Sequence, residues 1–359
     1  MASDDAGRRW MIYGANGYTG RLIAAEAARR GLRPLVAGRR RAAIEPLAAA
    51  LGLEARVFTL DDVDAVAAAL ADVDLVLHCA GPFLDTNKPM LKACLKSQTH
   101  YLDITGEAMV FERVMRWRDA FVDAGIVALP GVGFDVVPSD CLARRLKERL
   151  PSAHRLTLGI RLETSASPGT ARTYVHAIPA GGIIRERGAI RLVPPAWRTR
   201  SIDFGDGPEE AMTIAWGDVS TAFHASGYTE IVAYFQVRPW VRWAFRLTRP
   251  IRFVLAPKAL RDAVGVLAAR LFRGPDAQAR ARNGARIWGR AEDHDGRAVT
   301  MLLRGPDGYQ ITVDAALAAV DAVLAGEVEP GGYTPAMALG AGFLARLPGI
   351  TTTDVPASA

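Results

Sequence analysis

An α/β fold carrying a second domain of α+β type is predicted by three features of the chain. From Arg9 to Pro130 short apolar runs alternate with Ala/Leu-rich helical stretches, the pattern of a parallel sheet with crossover helices. A glycine-rich turn joins the first run to the first helix. Beyond Leu150 the pattern changes to longer alternating strands, which suits a mainly antiparallel sheet with one open face.

The parallel strands are expected at Trp10–Tyr13, Pro34–Gly38, Arg56–Thr59, Leu75–Cys79, Thr99–Asp103 and Ile126–Leu129. Six such strands complete a Rossmann dinucleotide-binding domain over residues 1–150, which a helix from Pro138 to Leu150 leaves. Residues 151–330 are expected to form the second domain, for substrate and dimerisation. Its strands are placed at Arg155–Glu163, Met212–Trp216, Tyr228–Val237, Arg282–Glu292 and Val299–Leu303. A last helix, about Thr334–Leu347 after Gly331-Gly332, is expected to return to the first domain, and the Ser/Thr/Pro-containing tail after Ile350 to stand outside the compact fold.

Bulk properties agree with two domains. The chain has 359 residues, half of them hydrophobic and 23% charged, and about 150 residues per domain is the usual size. Residues Met1–Arg9 carry no apolar core of a secretory signal. Cys79, Cys94 and Cys141 are too few and too irregularly spaced for a disulfide framework or a four-ligand zinc site. A cytoplasmic protein with reduced thiols is therefore expected.

The run Trp-Met-Ile-Tyr leads into Gly14-Ala-Asn-Gly17-Tyr-Thr-Gly20 and then into an Ala-rich helix, Arg21–Arg30. Glycines allow a tight turn and close backbone approach, and the helix N-terminus offers unpaired N–H groups to a pyrophosphate. A mere turn is the competing reading, and the succession strand, glycine turn, helix, strand argues against it. The second strand ends Gly38-Arg39-Arg40-Arg41, where an NAD site usually carries an acid. Arg39 and Arg40 favour a 2′-phosphate instead, so NADP(H) is the expected cofactor; a solvated basic helix start is the alternative.

Several motifs together carry a resemblance. Gly-Ala-Asn-Gly-Tyr-Thr-Gly (14–20), Ala-Gly-Arg (37–39), Cys-Ala-Gly-Pro-Phe (79–83), Cys-Leu-Lys-Ser-Gln-Thr-His-Tyr-Leu-Asp-Ile-Thr-Gly-Glu (94–107) and Gly-Phe-Asp-Val-Val-Pro-Ser-Asp (133–140) occur in this order. The chain resembles the saccharopine dehydrogenase-like oxidoreductase family, and within it the bacterial branch that includes trans-acting enoyl reductases of lipid and polyketide pathways. The motifs cover most of residues 10–150; beyond Pro151 the resemblance rests on general architecture and the pair Gly169-Thr170.

The resemblance implies an NADP-dependent oxidoreductase whose Gly14, Asn16, Gly17, Tyr18, Thr19 and Gly20 hold the cofactor. It implies that Ala80, Gly81, Pro82 and Phe83 line the cofactor beyond the fourth strand, and that Thr105 and Gly106, with Glu107, lie beside the cleft after the fifth. Ligands of open α/β sheets bind beyond the carboxyl ends of the strands, which gives the same placement. By that rule Asp61 flanks the adenine, or else caps a helix. Phe134, Asp135, Gly169 and Thr170 are the candidates for the substrate cleft.

Hydride transfer to an activated C=C (enoyl) or C=N bond needs orientation, water exclusion and a proton donor, because the cofactor carries the hard chemistry. Tyr174 and His176 are the candidate donors, with a half-buried tyrosine and a satisfied polar histidine as the plainer readings. Asp135 reads as structural or cleft-lining rather than as an acid. Cys141, near a helix start, is a candidate thiol nucleophile, though packing explains it better. No tyrosine has a lysine four positions on, which removes short-chain dehydrogenase chemistry, and the six histidines (78, 100, 154, 176, 224, 294) show no metal-ligand spacing. The expected substrate is hydrophobic, lipid- or polyketide-like, free or carrier-linked. A non-catalytic NADP-binding protein docked to a membrane or a biosynthetic assembly is the competing reading. A saccharopine-type amino acid dehydrogenase ranks below it, because the following segment does not suit a small charged substrate.

Between Arg238 and Arg273 stand nine basic residues against the single acid Asp262, so this stretch carries +8 and the remainder of the chain −2. Trp240, Trp243, Phe245 and Phe253 interleave with the arginines, and Pro239, Pro250 and Pro257 divide the segment into pieces shorter than the roughly 20 residues of a membrane span. The segment is expected to lie on an anionic membrane surface, placing the protein at the inner face of a membrane; packing on the second domain or a partner subunit is the alternative. Nucleic acid is not an expected partner, whereas a homo-oligomer is, most simply a homodimer.

Overall fold

Strand β1 (Trp10–Tyr13) is buried along its whole length, as a central parallel strand covered on both faces must be. A computed structural model describes residues 8–163, 167, 175, 181–238, 257–271 and 274–356. The first domain continues as α1 (Tyr18–Arg29), β2 (Leu35–Gly38), α2 (Arg41–Leu51), β3 (Ala55–Val57), α3 (Val63–Ala69), β4 (Leu75–His78), α4 (Phe83–Ser97), β5 (His100–Asp103), α5 (Ala108–Arg116), α6 (Arg118–Asp123), β6 (Val127–Leu129) and α7 (Val137–Arg149). The six expected strands are present. All pair in parallel in the order β6-β5-β4-β1-β2-β3, with the reversal of strand order between β4 and β1.

The second domain contains β7 (Arg155–Leu162), β8 (Gly182–Glu186), β9 (Ala189–Val193), β10 (Thr199–Asp203), β11 (Pro208–Thr213), α8 (Asp218–Ser226), β12 (Glu230–Gln236), α9 (Lys258–Leu271), α10 (Ala277–Arg282), β13 (Gly284–Glu292) and β14 (Ala298–Pro306). Its sheet runs β10-β11-β12-β7-β13-β14, with β8 on β12 and β9 on β8. Every pairing is antiparallel except β12 with β7. The strand expected at Met212–Trp216 lies earlier, at Pro208–Thr213, because the chain turns after Ile214 into Gly217 and the start of α8.

The chain then returns to the first domain sooner than expected. Helix α11 (Gly308–Leu324) packs on α1 and β4, and Arg30, the residue after α1, reaches Asp314 at 2.5 Å. Almost all of α11 is buried, so its apolar residues show no one-sided period, which is why sequence patterning misses it. Next comes β15 (Gly331–Gly332), a two-residue seventh strand alongside β6. The helix expected at Thr334–Leu347 is instead the short α12 (Pro335–Leu339) and a 3-10 turn (Ala341–Arg346), because Gly340 between them takes φ +70°. The tail expected to stand free forms β16 (Thr351–Asp354), an added edge strand on β14.

Helix α7 joins the two units. Leu142 and Leu146 pack so closely on Gly289 of β13 that a β-carbon there would fall 2.8 Å from the Leu146 methyl. A polar joint lies beside it. The Arg185 guanidinium of β8 is buried and donates to Glu112 Oε1 of α5 (2.5 Å), to the Val219 carbonyl (2.7 Å) and to the Gly188 carbonyl (2.6 Å), while Ser220 Oγ donates to the same Glu112 oxygen at 2.8 Å. Burial alone would raise the Glu112 carboxyl; hydrogen bonds from His224 and Ser220 and the Arg185 charge outweigh it and hold Glu112 at about 2. An ion pair buried at its arginine end adds little stability, because desolvating the two charges offsets much of their attraction.

Candidate functional site

The carboxyl ends of β1, β4, β5 and β6 open onto one edge of the first sheet, and the glycine turn starts there. Gly14 takes φ +83°, and its N–H donates to the Ala37 carbonyl at 2.8 Å. A β-carbon on Gly14 would fall 2.8 Å from the backbone nitrogen of Ala80, and one on Gly20 2.5 Å from the Gly14 carbonyl oxygen. The turn therefore closes only with glycine at both positions. Gly17 precedes α1 without a side-chain cap, and the first N–H of α1 to return to a backbone acceptor is that of Arg21, which bonds Gly17. The earlier N–H groups are left for an anion. Asn16 Oδ1 lies over Gly38, and Thr19 belongs to the first turn of α1.

Beyond β2, Arg39 and Arg40 are exposed and form no ion pair among the described residues. Tyr13 marks the floor of this corner: burial pushes its hydroxyl up to about 12, while the Arg39 charge pulls it down and Asp61 adds to the rise. Asp61 is thus near Tyr13, and the cap of α3 is its neighbour Asp62, which accepts from Asp64 N at 2.8 Å. The alternative role for Asp61 falls away. This corner fits the adenosine end of a dinucleotide with a 2′-phosphate.

On the other side of the switch point, Ala80-Gly81-Pro82-Phe83 leaves β4. Thr86 Oγ1 donates to the Ala80 carbonyl at 2.7 Å and lies 3.0 Å from Nε2 of the buried His78. Desolvation holds His78 down to about 3, so it is neutral. The Glu107 carboxylate accepts from Phe83 N (2.9 Å) and Leu84 N (2.8 Å), tying the loop after β5 to the first turn of α4. Thr105 is buried, with its hydroxyl accepting from Glu107 N at 3.1 Å, and Gly106 faces Asp135. Phe134 is buried, its N–H donating to Thr312 Oγ1 of α11 at 3.0 Å and its ring against Gly308. Tyr174, His176, Gly169 and Thr170 lie outside the described residues.

The second domain also reaches the glycine turn, which sequence reading missed. Tyr18 Oη donates to the Pro275 carbonyl at 2.5 Å and accepts from Arg280 Nη1 of α10 at 3.0 Å, and its ring meets Tyr309 edge-on at 4.8 Å. Arg280 is separated from Tyr18 by 262 positions, a contact that no local pattern reports. Cys141 is fully buried on α7, and burial pushes its thiol well above the ordinary range, against a thiolate nucleophile. Among the described residues no group of three acidic, histidine or cysteine side chains is arranged to hold a metal ion.

The sequence model of the saccharopine dehydrogenase NADP-binding domain matches residues 10–129, the stretch that builds this turn and both loops. The cofactor of this domain is a nicotinamide dinucleotide, and the glycine cradle and free N–H groups of α1 fit its pyrophosphate. The human saccharopine dehydrogenase-like oxidoreductase is 26% identical over 160 residues, which cover 39% of this chain and 37% of the relative. A trans-acting enoyl reductase of Mycobacterium bovis (strain BCG / Pasteur 1173P2) is 31% identical over 147 residues, 39% of this chain and 35% of the relative. The chain thus matches little more than a third of these relatives' length. Across the whole fold it is similar to apo saccharopine dehydrogenase (L-Glu forming) from Saccharomyces cerevisiae, with TM-score 0.68 and 13% identity over 98% of this chain and 100% of that one. Homospermidine synthase from Legionella pneumophila in complex with NAD gives TM-score 0.63 and 9% identity over 97% and 91%. These two structures show that the saccharopine dehydrogenase fold extends through the second domain.

Proposed function

We propose that this chain is an NADP-dependent oxidoreductase that reduces an activated C=C (enoyl) or C=N bond of a hydrophobic, lipid- or polyketide-like substrate, free or carrier-linked. The observation that carries the reading is the division of one sheet edge into two halves. A cationic corner at Arg39 and Arg40 suits the 2′-phosphate, the turn at Gly14–Gly20 suits the pyrophosphate, and the loops after β4, β5 and β6 remain for the nicotinamide. The bound cofactor supplies the hydride. The protein binds and orients it, covers it where Arg280 of the second domain meets Tyr18 and Tyr309, and excludes water with the interdomain packing. The name of the mycobacterial relative supports the enoyl class of substrate. Loss of NADPH absorbance on adding trans-2-enoyl thioesters of increasing chain length tests this, and no oxidation with any of them, nor with imine substrates, favours the non-catalytic alternative. Cys141→Ala is expected to keep full activity; complete loss in the folded variant would restore a thiol mechanism.

Attachment to an anionic membrane is a second reading, supported by one helix. On α9, Leu260, Leu267 and Leu271 recur at one helical face and are 40%, 60% and 77% exposed, with Arg270 exposed nearby. Residues 239–256 and 272–273, with Trp240 and Trp243, lie outside the described residues, and no described helix is long and apolar enough to cross a membrane. Such a face enters the headgroup region while each nearby cation contributes about 1 kcal/mol toward anionic lipid. Sedimentation with anionic vesicles at low salt is expected, with release at high salt, and Leu267→Asp with Leu271→Asp is expected to abolish it. Equal binding by this variant would remove α9 as the anchor.

A further inference from the structure

The acids at the cleft differ in how they are held. Asp103 accepts from Tyr101 Oη and from the N–H groups of Thr105 and Gly131, and Glu107 from Phe83 and Leu84, so both serve to join loops. Asp135 makes no hydrogen bond and no ion pair among the described residues. Its carboxyl fills the place that a side chain at position 106 would take: a β-carbon on Gly106 would fall 2.9 Å from Asp135 Oδ2. From the second domain, Gly217 presses on the same residue, with its β-carbon position 3.3 Å from the Gly106 carbonyl oxygen. The preceding Trp216 is 7% exposed, and its indole Nε1–H has no acceptor among the described residues. A buried donor without a partner is rare and costly, which makes it a candidate contact for a ligand.

Arg39 and Arg40 assign the adenosine to the β2 and β3 side, which leaves the nicotinamide to the half that carries Asp135. We infer that Asp135 is the acid that gives the substrate its proton, and that Trp216 Nε1–H binds the substrate oxygen on which negative charge builds. This rests on the reductase reading above. The β-carbon of an enoyl thioester accepts the hydride that NADPH loses on becoming NADP+. The C=C electron pair then forms a C–H bond at the α-carbon with the Asp135 proton, whose O–H bond breaks. A saturated thioester is left, and the Asp135 carboxylate recovers a proton from water.

Asp218, at the start of α8, feels the charges of Asp140 on α7 and of Asp135, and Glu107 follows Gly106 in the chain. Burial holds Asp218 well above the ordinary carboxylate range and raises Asp140 to about 6. Desolvation likewise raises Asp135 to about 6, keeping part of it protonated near neutrality.

Asp135→Asn preserves shape and removes the proton. Calorimetry is expected to show unchanged NADPH affinity, while reduction of a medium-chain trans-2-enoyl N-acetylcysteamine thioester falls about 100- to 10,000-fold. The wild-type rate is expected to decline as pH rises through about 6, a limb that Asp135→Asn loses and Asp135→Glu partly restores. Without substrate, the infrared difference between wild type and Asp135→Asn is expected to contain a protonated-carboxyl band that disappears over the same pH range. Absence of that band, or activity of Asp135→Asn within about threefold of wild type, overturns the assignment. A wild type that shows the band but leaves the thioester untouched supports Asp135 as a protonated acid and overturns the enoyl reading alone.

Discussion

Gly17→Val is expected to abolish NADPH binding, by at least about two decades in Kd, while the protein stays folded. Gly17 has φ −70° and ψ 166°, an extended conformation open to any residue. Among the described residues a β-carbon at this position meets the Gly14 carbonyl oxygen, at 3.2 Å, a tight contact that a shift of a few tenths of an ångström relieves. The branched side chain then takes up the space in front of the α1 N-terminus that a pyrophosphate needs. Exchanging glycine for valine before a helix costs up to about 1 kcal/mol, a shift of a few degrees in Tm. Gly20→Val makes the contrast, because a β-carbon 2.5 Å from the Gly14 carbonyl breaks the turn itself and should lower both affinity and stability. Calorimetry alongside thermal melting separates the two, and undiminished affinity in folded Gly17→Val would mean that the pyrophosphate lies elsewhere.

Arg39→Asp is expected to remove the preference for NADPH over NADH. A hydrogen bond to a charged group contributes about 1.5–3 kcal/mol, and 1.4 kcal/mol is a decade, so NADPH affinity should fall one to two decades while NADH affinity holds or rises. Arg39 is exposed and without an ion pair among the described residues, so its loss should change stability by no more than about 0.5 kcal/mol. Arg40 stands beside it at the start of α2, and Arg40→Asp measures how the 2′-phosphate is shared. A wild type with equal dissociation constants for the two cofactors sinks the assignment. High salt should narrow the difference, since both arginines face solvent.

The first domain was legible because its determinants are local. Six strands fall where short apolar runs stand, and the glycine turn announces itself through residues within seven positions of one another, Gly14 to Gly20. Arg39 could be assigned for the same reason, being the residue after a strand that ends in Gly38. Illegible elements share the opposite property. Helix α11 is apolar on almost every face because it lies between a sheet and α1, and periodicity is silent when no face meets water. Strand β15 is two glycines with no side chains to alternate, and β16 is a polar edge strand whose place depends on β14 being there to pair with it.

The sequence by itself therefore determined the dinucleotide-binding half of this protein and the class of its cofactor, since a turn, a helix N-terminus and a terminal arginine are built from neighbours in the chain. Only the tertiary structure decided what closes over that half. Tyr18 meets Arg280 and Tyr309, Glu112 holds Arg185, and Asp135, beside Gly106, has no hydrogen-bond partner among the described residues. Whether a carboxyl is tied to a loop or available to a substrate depends on which donors the fold brings within about 3 Å. Asp103 ends β5 and Asp135 lies in the loop after the adjacent β6, and the N–H groups of Thr105 and Gly131 reach only the first.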